Sequence, residues 1–482
     1  MLNRRVIWLA VILRLGLYVF LHFSMGIATS GTGLIGKRGG DTVAYFQAIE
    51  NLLTHGHYTH ILNYLPAYAG RMPGYGAVYG LFRLFLSPTL AYDAVILAQM
   101  VLALVALYYL GLLTYQLTKR RLVAYAIMLL HAISPYGAQA DLFLLTESFA
   151  ASALVIGTYY CLLGVMAPTR QNMLLAGSWL AWVVFLRPYM APLLGLWPSV
   201  HIYHSYRQQS WRQLLQPSVL LILPFLVVDC AWTARNWLVS QQFVPLQTAY
   251  AGIPFPDDYL AARRFAAALG EDPVEWNSTS LMSWLIRPIT APQTAPQSWQ
   301  LTQHGTYDSL RWVRQQLQAP PPKVLLSTDP HIRGNQQAAA ALRRFHDAVV
   351  REKPWLYYVV APVRLTYYLV LTGGGNSIFA WPFSELAIWQ KVIRLLFTCT
   401  HWLLMGASLC SYIWWPQRAS TGWLLVRVPP IFLILLFVVI LRYVEARYFI
   451  VVYPLALLSG TVWLIHLAEH IAPRLFMAQK PE

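Results

Sequence analysis

The sequence has little charge for its length. Only 11% of its 482 residues are Asp, Glu, Lys or Arg, whereas 57% are hydrophobic, a composition outside the range of ordinary soluble domains. This excludes a water-soluble enzyme of this size. Runs of about 20 apolar residues, long enough to cross a hydrocarbon core of about 30 Å as a helix, recur along the chain. They predict a polytopic membrane protein that contacts membrane lipids.

Acidic residues and cysteines are also scarce. The chain has 19 acidic residues against 35 Lys and Arg, and a formal net charge of +16. Much of the basic charge lies in short loops between apolar runs, as at 119–121, and no basic domain or reading helix is present, so nucleic acid is excluded as a partner. The four cysteines fall within or at the ends of predicted spans, which excludes a disulfide framework in an outer domain. They are Cys161, Cys230, Cys399 and Cys410.

About ten transmembrane helices are predicted from the apolar runs. These begin near Val6, Leu90, Leu122, Leu144, Met173, Ala191, Pro217, Ala387, Trp423 and Phe449. Short basic loops mark the cytoplasmic side, which puts both termini inside. The predicted organisation is an N-terminal transmembrane region (1–238) with a catalytic first outer loop (28–88), an extracytoplasmic loop domain (239–385) and C-terminal transmembrane helices (386–482).

Helical periodicity also appears in the outer segments. Residues 41–55 have apolar side chains at helical spacing, with Asp41 at the N-cap position. Residues 74–86 suit a second helix lying in the membrane interface, and residues 337–350 suit an amphipathic helix. The stretch 355–371 is expected to run along the membrane surface, because an arginine and several tyrosines interrupt its apolar run.

Ionisable and polar residues gather at the predicted outer ends of several helices. The set is Asp41, Arg71, Asp141, Glu147, Arg187, Arg235, Asn236, Glu445, Arg447 and Tyr448. A carboxylate can take the proton from an attacking hydroxyl or amine, and guanidinium groups hold phosphate by paired hydrogen bonds. The set therefore suits transfer from a lipid-linked phosphate. The glycines at 373–375 lack the strand and helix of a nucleotide-binding loop, consistent with a donor that is not a nucleotide sugar.

Structural alternatives exist for these residues. Asp41 could only cap a helix and Asp141 could only mark a helix end, Glu147 could sit in a structural ion pair, and the arginines could contact anionic headgroups. The spacing of His55, His57 and His60 could hold a metal ion, but a solvated loop is the favoured explanation. The triplet 277–279 (Asn-Ser-Thr) fits a glycosylation acceptor.

The order of these motifs resembles that of the GT-C fold polyprenyl-phosphate-sugar glycosyltransferases, the group that includes protein O-mannosyltransferases and the lipid A aminoarabinose transferase. The resemblance runs through nearly the whole chain. The matching motifs are Gly40-Asp41 with Tyr45, Arg71-Met72-Pro73-Gly74-Tyr75, Leu144-Leu145-Thr146-Glu147, Leu186-Arg187-Pro188, Ala234-Arg235-Asn236 followed by Phe243-Val244-Pro245-Leu246, and Ala446-Arg447-Tyr448 with Pro454.

The resemblance implies an all-α polytopic membrane protein, a GT-C type bundle with interfacial helices and one large extracytoplasmic domain. It implies that Asp41 is the base that activates an acceptor for inverting attack on a sugar carried by undecaprenyl or a similar polyprenyl phosphate. The implied catalytic residues are Asp41, Glu147 and Asp141; the implied donor-phosphate contacts are Arg71, Arg187, Arg447 and Tyr448; the implied substrate contacts are Tyr45, Tyr75, Arg235 and Asn236.

The expected partners are a polyprenyl-phosphate-linked sugar and an acceptor glycan, lipid or protein. No cofactor is required, but a divalent metal ion stays open; Thr42 stands where several relatives have a second acidic residue, which argues against a metal held by that pair. The expected location is a bacterial inner membrane, with the site facing the periplasm or exterior. The alternatives are a transporter or flippase, which would need ionisable groups near mid-membrane, and a polymerase or ligase of lipid-linked saccharides.

Overall fold

The computed structural model describes residues 2–27, 34–62, 65–205, 211–248, 255–272, 280–286, 302–318, 334–375, 378–414 and 421–471. These residues are predominantly helical, with one short β-hairpin. The predicted glycosylation triplet 277–279 lies outside the described residues.

The N-terminal region holds ten helices and the hairpin. The helices are α1 (Arg4–Ser24), α2 (Thr42–His55), α3 (Pro73–Arg83), α4 (Pro88–Thr118), α5 (Arg121–Ala132), α6 (Pro135–Asp141), α7 (Glu147–Met166), α8 (Arg170–Leu186), α9 (Pro192–Ser205) and α10 (Trp211–Ser240). Between α2 and α3 the strands β1 (His60–Leu62) and β2 (Leu65–Ala67) pair antiparallel. The helices predicted at 41–55 and 74–86 are confirmed as α2 and α3.

The segment between α10 and α16, predicted to be extracytoplasmic and here called the outer domain, has a helical core of its own. It contains α11 (Asp257–Ala268), α12 (Leu281–Ile286), α13 (Tyr307–Gln318) and α14 (Gln336–Glu352), which bury a shared apolar cluster. The amphipathic helix predicted at 337–350 is confirmed as α14, whose buried residues include Leu342, Phe345 and Val349. After α14, π-helical turns at Leu356–Val360 and Tyr367–Leu371 flank α15 (Ala361–Thr366).

The C-terminal region completes the bundle. It contains α16 (Ile388–Ile413), α17 (Thr421–Ile434) with a π-helical extension (Leu435–Ile440), α18 (Ala446–Ile450) and α19 (Tyr453–Ile471). Helix α7 packs against both α4 and α8. Most of α7 is buried, as expected for a helix that is apolar on every side.

Six helices in the described part of the chain are long and apolar enough to span a membrane, or seven if α5 and α6, bent by 58°, form one span. The six are α1, α4, α7, α10, α16 and α17 with its extension. The predicted count of about ten is not confirmed. The spans predicted at Met173 and Ala191 form helices of 17 and 14 residues, because the chain turns at Pro188–Met190 between them.

A buried ion pair joins α1 to α6. Nη2 of Arg14 lies 2.7 Å from Oδ2 of Asp141, and each side chain is only 4% exposed. The Tyr18 hydroxyl donates to the same oxygen at 2.6 Å, and the Ser148 hydroxyl donates to Oδ1 at 2.5 Å. Both oxygens of Asp141 are therefore engaged in packing the bundle, which sets this residue apart from the other acids that the sequence grouped with it as catalytic.

We expect Asp141→Asn to lower the free energy of unfolding by about 3–5 kcal/mol, because it leaves the buried Arg14 charge without its partner. The double variant Arg14→Met/Asp141→Leu should recover part of that loss, since no charge stays buried. Thermal unfolding of the purified proteins measures the stability of the single and the double variant. Arg120→Gln, which breaks an exposed ion pair with Glu469, is the control and should change little; equal losses in the single and double variants would contradict the expectation.

Candidate active site

The segment before α2 is fixed to the transmembrane bundle through its backbone. In this segment, the backbone amides of Leu34 and Ile35 donate hydrogen bonds to the carboxylate of Asp93 in α4, at 3.2 and 3.1 Å. Lys37 exchanges two backbone hydrogen bonds with the segment 142–144, at 2.8 and 2.9 Å, and the Thr42 hydroxyl donates to a carbonyl of the same segment at 2.8 Å. The bundle therefore sets the position of Asp41, which lies between the attached residues Lys37 and Thr42.

Asp41 occupies the N-cap position of α2, but its side chain makes no capping hydrogen bond. The carboxylate instead faces two arginines from distant parts of the chain. Nη2 of Arg71 lies 3.2 Å from Oδ1, and Nη2 of Arg447 lies 2.8 Å from Oδ2. The alternative in which Asp41 only caps a helix is therefore wrong.

Arg447 is the centre of an ion-pair network. Besides Asp41, its Nε lies 2.5 Å from Oε2 of Glu445 and 3.8 Å from Oε1 of Glu147. Glu147 also forms an ion pair with Arg187, and the Glu147 side chain is only 2% exposed. With Arg71, which pairs with Asp41, the network brings together five predicted site residues from five separate segments and also includes Glu445.

Tyrosine rings surround the guanidinium groups. The guanidinium carbon of Arg71 lies 4.6 Å from the centre of the Tyr45 ring, and Nη1 donates to the Tyr45 hydroxyl at 3.4 Å. The Tyr448 ring centre lies 5.5 Å from the guanidinium of Arg447 and 5.7 Å from that of Arg187. These distances are within the range of cation–π attraction, so the predicted site tyrosines orient the arginines.

Two cavities flank the ion-pair network. The larger, here called the central cavity, has a volume of about 670 Å³. Its walls include Asp41, Phe143, Leu145, Asp272, Tyr368, Thr372, Glu445 and Arg447. The smaller, here called the arginine pocket, has a volume of about 170 Å³. Its walls include Tyr45, Arg71, Tyr75, Arg187, Tyr189, Phe437, Tyr443 and Tyr448.

Some predicted site residues lie elsewhere or point away. The Tyr75 ring lines the arginine pocket, but its hydroxyl donates to Gln99 at 2.7 Å. Arg235 donates to the carbonyls of Tyr58 and Tyr68, which fastens the hairpin region to α10, and Asn236 is fully buried. Neither Arg235 nor Asn236 lines either cavity, so the substrate contact predicted for them is not brought to the site.

The sequence analysis did not select every residue of the site. Glu445 was grouped with the ionisable residues at the helix ends but was given no role, although it lies only two residues from Arg447. No motif or spacing in the sequence marks the other three residues of the central cavity, Asp272, Tyr368 and Thr372. They reach the cavity only because the outer domain docks on the bundle.

The described residues do not fit a metal centre. Among them, no group of three His, Cys, Asp or Glu side chains is placed to hold a metal ion. The alternative in which His55, His57 and His60 hold a metal ion is not supported, since His60 is buried while His55 and His57 are exposed. The carboxylates around Asp41 have guanidinium groups as their partners, and those positive charges oppose a divalent cation.

The two arginines control the charge of Asp41. Burial by itself would raise the pKa of the Asp41 carboxyl, but the charges of Arg447 and Arg71 outweigh burial and lower that pKa below its ordinary value. Because the folded-state pKa lies below the unfolded value of about 4, the associated stabilisation is fully present above about pH 4 and is lost as the pH falls through the folded pKa. The carboxylate is ionised at neutral pH.

The fold is similar to that of a solved archaeal oligosaccharyltransferase. The apo oligosaccharyltransferase of Archaeoglobus fulgidus superposes with a TM-score of 0.52 at 13% identity, over 99% of this chain and 52% of that one. This chain thus spans about half the length of that protein. AglB of the same organism, in complex with an inhibitory peptide and a dolichol-phosphate, gives a TM-score of 0.48 at 14% identity, over 99% and 52%. ArnT from Cupriavidus metallidurans bound to undecaprenyl phosphate gives a TM-score of 0.37 at 12% identity, over 99% of this chain and 80% of that chain.

No protein-family model matches the sequence, and the comparison with curated proteins found no match. At 13% identity, the structural similarity to the archaeal oligosaccharyltransferase shows a shared fold and nothing more. The predicted fold class, a predominantly helical membrane bundle of GT-C type, is confirmed. The chain is an integral membrane protein by its apolar helices.

Proposed function

We propose that this protein is a membrane glycosyltransferase that moves a sugar from a polyprenyl-phosphate donor to an acceptor, with Asp41 as the general base. One observation carries the proposal: an ionised carboxylate lies in the wall of a cavity of about 670 Å³, directly against the guanidinium groups of Arg71 and Arg447. A base beside paired phosphate-binding groups suits the displacement of a phosphate by a hydroxyl or amine. The GT-C fold supports this assignment.

In the proposed reaction, the acceptor oxygen or nitrogen forms a bond to the anomeric carbon from the face opposite the phosphate. The bond from that carbon to the phosphate oxygen breaks, and its electron pair leaves with the phosphate. Asp41 takes the proton of the nucleophile, and the anomeric configuration inverts. The acceptor is a glycan, a lipid or a protein.

The arginines have two tasks in this proposal. A carboxylate whose pKa is lowered by ion pairing is a weak base, so the donor phosphate must first draw Arg71 and Arg447 away from Asp41. Once bound to the phosphate, the guanidinium groups stabilise the negative charge that grows as the sugar leaves. Glu147 acts as a positioning residue, because it holds Arg187 and contacts Arg447.

The membrane setting follows from the donor. A polyprenyl chain stays in the bilayer, which keeps its phosphate at headgroup depth, and the outer ends of the helices lie there in the predicted topology. We place the protein in a bacterial inner membrane with the central cavity open to the periplasm or exterior.

The test uses purified protein in lipid nanodiscs, a polyprenyl-phosphate sugar and an acceptor extract from the envelope, with mass spectrometry of the lipid products. Transfer releases free polyprenyl phosphate. A flippase leaves the sugar–phosphate bond intact, and a polymerase or ligase that uses a diphosphate carrier releases polyprenyl diphosphate. Translocation of intact donor in liposomes, with no free polyprenyl phosphate, would overturn the proposal.

The pH dependence of transfer should respond to Arg71. Because its charge lowers the pKa of Asp41, Arg71→Gln is expected to raise that pKa and to move the acid limb of the kcat/KM profile to higher pH. Arg71→Lys keeps the charge and is the control, with an acid limb close to that of the unsubstituted protein. An acid limb that stays in place in Arg71→Gln would show that another group sets it.

A further inference from the structure

A third cavity, here called the basic cavity, lies between α11, α14 and the chain that follows the extension of α17. Its volume is about 390 Å³, and Arg263, Arg264, Arg442 and His346 line it. No carboxylate belongs to its described lining; Asp347 contacts His346 at 3.1 Å but is exposed and outside that lining. Within the described ranges, none of these three arginines forms an ion pair, whereas every arginine of the ion-pair network does.

Arg442 carries two independent signs of a missing ligand. Its backbone has a φ of 47°, in the left-handed region that non-glycine residues rarely adopt, and such conformations cluster at ligand sites. Its Nη2 donates to the carbonyl of Tyr357 at 3.0 Å, and its guanidinium lies 3.6 Å from the centre of that ring. Its Nη1 is buried and donates to no described residue. A buried charged donor left unpaired is costly, and an anion in the cavity would satisfy it.

The basic cavity adjoins the ion-pair network through one side chain. The guanidinium of Arg263 lies 3.8 Å from the centre of the Tyr443 ring. The Tyr443 hydroxyl donates to Glu445, which is paired with Arg447. Tyr443 also lines the arginine pocket, so the two spaces share a wall.

We infer that the basic cavity binds a phosphate-type anion separate from the donor phosphate. Planar guanidinium groups match phosphate oxygens in pairs, and three of them without acids leave an uncompensated positive charge for the ligand. The anion is carried either by the headgroup of an acidic membrane lipid or by the acceptor. The inference goes beyond the proposed function; a lipid headgroup as the source does not require that function, whereas an acceptor as the source rests on it.

Arginine modification by phenylglyoxal, read residue by residue by peptide mass spectrometry, tests this on the intact protein in phosphatidylcholine nanodiscs. Saturating inorganic pyrophosphate, the probe, should slow modification of Arg263 and Arg264 at least about tenfold, because bound phosphate oxygens occupy the guanidinium nitrogens that phenylglyoxal attacks. Arg343 of α14, exposed and paired with Asp257, is the matched control and should react at an unchanged rate. Equal rates at Arg263 and Arg264 with and without pyrophosphate overturn the inference.

Arg442→Gln should abolish the protection of Arg263 and Arg264, and Arg442→Lys should retain part of it; full protection in Arg442→Gln contradicts the role given to Arg442. Nanodiscs that contain phosphatidylglycerol separate the two sources. If Arg263 and Arg264 are modified more slowly in these nanodiscs than in phosphatidylcholine nanodiscs, with no pyrophosphate present, the ligand is a lipid headgroup. Protection only by pyrophosphate, in both kinds of disc, identifies a phosphate borne by the acceptor.

Discussion

Asp41→Asn is expected to lower the rate of sugar transfer at least about 100-fold, the range that removal of a general base produces. The amide keeps the size of the side chain but cannot take a proton from the acceptor. Donor binding should persist, because Arg71 and Arg447 lose a competing carboxylate and stay available to the phosphate. Release of labelled sugar from a polyprenyl-phosphate donor measures the rate, and filter binding of the same donor measures affinity.

Glu50→Gln is the matched control for this variant. Glu50 lies on the same helix α2, pairs with Arg83 at 2.8 Å and is about as exposed as Asp41, at 28% against 32% for the side chains. It lines neither cavity, so transfer should stay within about twofold of the original rate. If Asp41→Asn behaves like Glu50→Gln, the proton goes to another group and Asp41 is not the base.

Arg447→Gln is expected to lower kcat about 100- to 1,000-fold, the loss seen when one preorganised charge-stabilising donor is removed from an active site. Arg447 contacts Glu147 and Glu445 as well as Asp41, so we expect the two glutamates to keep its guanidinium in the site when the donor phosphate draws it away from Asp41. Arg447→Lys keeps the charge but loses the paired geometry and should recover only part of the rate. Steady-state kinetics with the labelled donor separate kcat from KM.

Arg83→Gln serves as the control for Arg447. Its side chain is about as buried as that of Arg447, at 24% against 26% exposure, and it also forms an ion pair with a glutamate. It should leave kcat nearly unchanged. A rise in KM with unchanged kcat in Arg447→Gln would mean that Arg447 only binds the donor and does not stabilise the leaving group.

The helices outside the spans could be predicted because their periodicity is local. In α2, Phe46 and Ile49 recur on one face and are buried, and α14 buries Leu342 and Phe345 in the same way. The number of spans could not be predicted from hydrophobicity, since a buried helix in the bundle is as apolar as a spanning one. For the spans predicted at Met173 and Ala191, the turn after α8 divides the apolar stretch into two shorter helices, and tertiary packing sets that turn.

The site was predictable where its chemistry is unusual for a membrane chain. Asp41, Arg71, Glu147 and Arg447 stand out in apolar surroundings, and the structure brings them together. Asp141 stands out equally, yet it pairs with Arg14, which lies 127 residues earlier in the middle of an apolar run. Nothing local distinguishes an acid that pairs inside the bundle from one that faces a cavity, because the difference lies in long-range contacts.

The attachment of the segment before α2 has a consequence for access. Asp41 is tied to the bundle through Asp93, Lys37 and Thr42, whereas Asp272, which also lines the central cavity, follows α11 in the outer domain. A swing of the outer domain would therefore widen the opening for a bulky acceptor while the carboxylate keeps its depth relative to the lipid carrier. In the proposed reaction, such a division would let the acceptor enter without disturbing the alignment of Asp41 with the donor.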